Sequence, residues 1–279
     1  MEAEGCQRPN VFNFGVFGLT GAEQDWLLDQ VLAAGQGTLR TVVMEDPLPE
    51  ARSLADATNE RARFFHAPSD YSATLHSISS FPESAPKKVF RLGIFGAGAA
   101  YDLSGVGRAA EFFFPAPVKP APYAMDMASD GFEILGSISS PDIEARRKDF
   151  VDHPEKYDEA LARYGAASDE AVEARAVYLE TRLRSLKAQG LNVALFVSPD
   201  PEELDRTPRV GLELARIAPD LSVMNFNRPD VYPDLFGRNL WFDHSHYGEE
   251  GARKLSRLAG AELCRDLKQS DAGGQHAVR

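Results

Sequence analysis

Apolar positions recur along this chain with two periods, and the alternation between them predicts the architecture. Residues 10–16 (NVFNFGV) read as a short buried strand. Thr20 and Glu23 then have the spacing of a capping box. Trp26, Leu27, Leu28, Val31 and Leu32 follow with helical period, and Gly35 supplies a stop. Residues 41–44 (TVVM) form a second β-branched run that ends at Glu45-Asp46-Pro47. Strand, helix, strand is the βαβ order of a parallel sheet.

The same order returns in the last third. A helix over residues 170–189 is closed by Gly190, and residues 191–197 (LNVALFV) form a buried strand. Residues 198–203 (SPDPEE) open another helix and 221–226 form a further strand. The last helix runs from about 248 to 267, with Ala252, Leu255, Leu258, Ala259 and Leu263 facing the sheet. Residues 59–164 break the alternation. They hold a proline-rich piece at 114–122 and a charged helical stretch near 143–157. This predicts a mainly helical insertion over one end of the sheet, within a single α/β domain spanning 1–279.

Composition narrows the function classes. With 279 residues and 43% hydrophobic content the chain can bury a sizeable core. A net charge of −12 argues against nucleic acid or an anionic membrane surface as the main partner. The most apolar stretch, 89–114, is broken by Arg91, Asp102, Arg108 and Glu111, so no membrane segment is expected, and the acidic start shows no signal-peptide pattern. The two cysteines, Cys6 and Cys264, give neither a metal spacing nor a disulfide framework; a single bridge between them stays open, with unpaired thiols the expected reading. No cofactor is expected. The glycines of Gly93-Ile94-Phe95-Gly96-Ala97-Gly98 have the wrong spacing for a dinucleotide loop and are read as packing residues.

The chemistry concentrates in residues 241–252 (WFDHSHYGEEGA), where Asp243 and His246 stand three apart just before the last helix. At a helix start both side chains can face one way. Asp243 then accepts from one imidazole nitrogen and the other moves a proton. The plain alternative is a helix cap beside an exposed histidine. His244 is expected at the surface. A metal reading would join His244 and His246 to His66 or His76, which lie in no recognised ligand spacing.

This run resembles the last block of the SGNH (GDSL-like) hydrolase superfamily, D-x-x-H followed by glycine and an apolar helix. Asn13-Phe14-Gly15-Val16-Phe17-Gly18 resembles its second block. The likeness covers both ends of the chain, and the insertion makes the chain most similar to the DltD-like and AlgJ/AlgX-like branch. It implies a three-layer, flavodoxin-like α/β/α sheet and a serine esterase or O-acyltransferase acting on a carbohydrate or cell-envelope ester. His246 would be the base, Asp243 its orienting carboxylate, Gly18 an oxyanion donor and Asn59 the candidate for the asparagine donor. It implies a site facing the cell envelope, or a non-catalytic relative that binds an acylated carbohydrate without turnover.

The family's serine precedes the second block, and residues 1–12 contain none. The resemblance therefore implies that the chain begins inside the fold, with a first strand and serine turn about 20–30 residues upstream. A chain lacking that central strand is expected to be marginal or poorly soluble alone. Ser198 has strand–turn–helix placement, but an N-cap accounts for it. Ser245 lies between the dyad residues, and Cys6 lies beyond a helix stop.

Overall fold

The computed structural model describes residues 19–35, 39–58, 70–105 and 141–274. They form a mostly helical α/β structure with a small, open, three-stranded parallel sheet. They fall into two compact units, one containing 19–41 with 46–105, the other 42–45 with 141–274.

The first unit holds α1 (Gly21–Gly35), α2 (Leu54–Thr58), α3 (Tyr71–Ser80) and α4 (Ala85–Leu103). The capping box forms as the spacing predicts: Thr20 N donates to Glu23 Oε2 at 2.8 Å, and Glu23 N to Thr20 Oγ1 at 3.4 Å. Buried Glu50 joins two helices, its Oε1 accepting from Ala22 N at 2.7 Å and from Ser77 Oγ at 2.8 Å. Arg91 braces the same junction by donating to Glu83 Oε1 at 2.6 Å and to Glu50 O at 3.0 Å. The glycine run of residues 93–98 lies inside α4. A Cβ on Gly98 would stand 2.7 Å from Ala57 O, so this glycine lets α4 and α2 approach closely.

The strands are β1 (Thr41–Met44), β2 (Asn192–Val197) and β3 (Ser222–Asn225), in that order across the sheet, and all but Thr41 belong to the second unit. β2 and β3 pair in parallel, Ala194 with Ser222 through Val197 with Asn225. Val193, Ala194, Leu195 and Val197 are all buried, as a strand covered on both faces requires. The connecting helices are α7 (Asp169–Lys187) and α8 (Thr207–Ile217), and α9 (Glu249–Gly274) follows β3. Gly190 adopts φ +85° after α7, the left-handed stop its position predicts. Leu255, Leu258, Ala259 and Leu263 of α9 pack on a core built around Ala194, Met224, Phe226 and Trp241.

Two helices from the middle of the chain complete this core. α5 (Pro141–Asp152) contributes Phe150, and α6 (Pro154–Ala162) contributes Tyr157, whose hydroxyl donates to Phe236 O at 2.8 Å. Cys264 is buried on α9 and disulfide-bonded, which corrects the expectation of unpaired thiols. The segment read as a strand at 10–16 and the proline-rich piece at 114–122 lie outside the described residues. Among the described residues no helix is long and apolar enough to cross a membrane.

Candidate active site

The C-terminal ends of β2 and β3 present Ser198-Pro199-Asp200 and Phe226-Asn227, and residues 241–247 belong to the same unit. Parallel sheets place ligand sites at this end. The segment 241–247 is a tight turn, not the start of a helix. Trp241 and Tyr247 form an antiparallel bridge, and Phe242 N donates to His246 O at 2.7 Å. α9 begins only at Glu249.

The turn is organised by Asp243, which is 5% exposed. Its Oδ1 accepts from Ser245 N at 2.9 Å and from His246 N at 2.8 Å. His246 Nδ1 lies 2.8 Å from Oδ1 and 3.0 Å from Oδ2. An Asx-type turn therefore does what the helical spacing was expected to do, bringing carboxylate and imidazole together. Burial penalises the charge on Asp243, but the imidazole and two backbone N–H groups outweigh it and hold the carboxyl below its ordinary range. Since a carboxylate can only accept, the proton on this edge sits on Nδ1.

His246 keeps 28% of its side chain exposed. Its basicity is raised by the Asp243 hydrogen bond, opposed by burial, and raised again by the Asp243 charge. Arg146 on α5 lowers it and Asp200 raises it.

Helix α5 clamps the turn from outside. Arg147 Nη1 donates to Trp241 O at 3.1 Å and to Phe242 O at 2.6 Å, with its guanidinium 5.5 Å from the Phe242 ring centre. His244 Nε2 lies 3.1 Å from Asp149 Oδ2, and its ring meets Phe150 edge to face at 5.1 Å. His244 is thus a partly buried anchor, which corrects its expected place at the surface. From beneath, Tyr247 stacks on Trp241 at 4.1 Å and donates its hydroxyl to Leu235 O at 2.8 Å. Gly251 is needed here because a Cβ would collide with the Tyr247 ring and lie 2.6 Å from Leu240 O.

The loop after β2 adds groups that the sequence pattern did not single out. Asn227, fully buried, accepts from Asp200 N at 3.0 Å and donates to Asp200 O at 3.3 Å and to Thr207 Oγ1 at 2.7 Å. Asp200, not Ser198, caps the short 3-10 turn Pro201–Glu203, its Oδ1 accepting from Glu202 N at 2.9 Å. Glu202 in turn accepts from Ser245 Oγ at 3.0 Å, joining the β2 loop to the dyad turn and turning Ser245 toward Glu202. Burial raises the Asp200 carboxyl to about 7; the Glu202 N–H opposes this, Glu202 and Glu203 add to it, and His246 opposes it. The signal that could have marked Asp200 was its place just past a buried parallel strand.

Of the four residues expected to carry chemistry, the structure brings Asp243 and His246 into direct contact. Gly18 and Asn59 lie outside the described residues, as do Cys6 and His66. His244 and His246 are directed at different carboxylates, and among the described residues no three His, Cys, Asp or Glu side chains are arranged to hold a metal. Compared with known proteins, the chain matches no family model, no curated protein and no solved structure.

Proposed function

We propose that Asp243 and His246 are the base half of an SGNH-type acyl-transfer site that acts on an ester of a carbohydrate or cell-envelope polymer. One observation carries this reading. A buried carboxylate fixed by two backbone N–H groups holds His246 Nδ1 at 2.8 Å, at the strand ends of a parallel sheet. In such a site a serine hydroxyl attacks the acyl carbon, and its proton passes to His246 Nε2 and then to the departing oxygen. Asp243 stabilises the imidazolium in between. On this reading the three strands belong to a flavodoxin-like three-layer sheet, and residues 59–164 form an insertion within it. Gly18 and Asn59 are its oxyanion donors.

The serine has no counterpart among residues 1–12, and Ser245 is committed to Glu202. The reading therefore requires a serine other than Ser245 to meet His246. Aryl-acetate hydrolysis by this chain tests it. That hydrolysis should fall about 100-fold or more in His246→Gln. Hydrolysis that persists in His246→Gln, or through every Ser→Ala change, removes a serine–histidine mechanism. The engagement of Ser245 with Glu202 also favours a second reading, a non-catalytic protein that binds at the same site. It requires binding of an acylated glycan with no turnover.

A further inference from the structure

The residues on either side of Asp243 are both fastened to one turn of α5. Before it, the Phe242 carbonyl accepts from Arg147 Nη1 at 2.6 Å; after it, His244 Nε2 lies 3.1 Å from Asp149 Oδ2. A third bond runs in the other direction, where Arg238 Nη2 donates to Phe150 O at 2.6 Å near the C-terminal end of α5. The Phe150 ring lies among these groups. It is 5.7 Å from the Arg147 guanidinium, 5.0 Å from that of Arg238, and edge to face with His244. Hydrogen bonds given both ways around one buried aromatic ring therefore seat α5 on the segment 238–244.

The contact at Phe242 reaches the dyad through a single peptide unit. The carbonyl of Phe242 and the N–H of Asp243 belong to one rigid plane, so fixing one fixes the other. Asp243 N donates to His246 O at 3.3 Å, and Phe242 N donates to the same oxygen at 2.7 Å. A guanidinium on the carbonyl side polarises the plane and strengthens the N–H on its far side. Arg147 suits this task because its fork spans two successive carbonyls, Trp241 O at 3.1 Å as well as Phe242 O. We infer that Arg147 is a positioning residue for His246: from α5 it orients the Phe242–Asp243 peptide, and that peptide sets the main chain from which both dyad side chains extend. Without the guanidinium the Phe242 carbonyl turns to water instead, and the plane that carries Asp243 N turns with it.

The place of Arg147 in chemistry rests on the acyl-transfer reading; its effect on the dyad does not. Arg147→Met keeps a stem to pack on Phe150 and Phe242 and removes every donor. NMR of the full chain follows the His246 imidazole through a pH titration, and the exchange of its Nδ1 proton with water. Two effects of the change have opposite sign. Loss of a nearby cation alone raises the basicity of His246. A loosened Asp243 contact lowers it, because the Asp243 hydrogen bond is what raises it in the parent. Asp243, Arg146 and Asp200, whose charges act on His246, stay in the variant. His246 should therefore titrate at lower pH in Arg147→Met, and its Nδ1 proton should exchange about three- to tenfold faster. Arg147→Lys, which returns a donor to the same carbonyls, should reverse both. A His246 curve that is unmoved, or displaced to higher pH, overturns the inference whatever happens to the unfolding midpoint. If Arg147→Met does not fold, Arg147→Gln, too short to span both carbonyls, is read by the same signs. Where the chain hydrolyses aryl acetates, kcat should fall by the same factor with KM unchanged. Displacement of His246 to lower pH in a chain without hydrolysis upholds the inference while removing the acyl-transfer reading.

Discussion

At the scale of single residues, the Asp243–His246 contact is a stability device as well as a candidate catalytic one, and linkage gives its pH window. The Asp243 carboxyl is held below its ordinary value of 3.8, so its contribution is present above that pH and is lost as pH falls through the folded value. His246 is raised above 6.5, so its contribution is complete below 6.5 and is lost as pH rises through the folded value. The pair is therefore worth most between about pH 4 and 6.5. Asp243→Asn should lower the unfolding free energy by about 2–4 kcal/mol near pH 5 and by less at pH 9. Urea titrations at the two pH values measure this, and equal losses at both would show that the charge pairing contributes nothing. Asp200 has the opposite sign. Its carboxyl is raised by burial, so its ionisation opposes folding increasingly as pH climbs from 3.8 to about 7.

At the scale of elements, the parts legible in the sequence were those fixed by local rules. The helices α1, α7 and α9 and the strands β2 and β3 follow from periodicity, β-branched runs and end signals such as Thr20, Glu23 and Gly190. What could not be read depends on contacts far along the chain. His244 is anchored by Asp149, 95 residues away, and the Trp241 carbonyl by Arg147, 94 away. No local pattern distinguishes such a histidine from an exposed one. The dyad itself was legible, but the device joining it was not: a three-residue spacing suits a helix and an Asx turn equally, and three hydrogen bonds to Asp243 Oδ1 decide for the turn. The glycine at 251 turns this into a prediction. Gly251→Ala puts a methyl group against the Tyr247 ring and the Leu240 carbonyl, so the first turn of α9 and the dyad turn must separate. An unfolding loss of about 1–3 kcal/mol is expected, together with a displaced His246 imidazole resonance. A variant as stable as the parent, with His246 unmoved, would mean that α9 does not set the turn.

At the scale of the whole molecule, two opposed surface properties govern behaviour in solution. A net charge of −12 keeps copies of the chain apart by long-range repulsion. Against it stands the outer side of α4, where Val89, Phe90, Leu92 and Leu103 are exposed, at 68%, 58%, 39% and 66%. Between them lie Gly93 and Gly96, with no neighbour within 4 Å of a would-be Cβ. A run of exposed apolar side chains on one helix is a site of association once repulsion is removed. Repulsion acts over a Debye length of about 10 Å at 0.1 M salt and about 3 Å at 1 M. Light scattering by the chain should therefore rise with added salt, the reverse of what attraction between opposite charges would give. Replacing Val89 and Phe90 together by Gln, on a face where neither is buried, should leave the unfolding midpoint unchanged and remove most of that rise. Salt-dependent scattering that persists in the double variant would move the cause off α4. Val43, 44% exposed on β1, the edge strand among the described residues, is the next place to look.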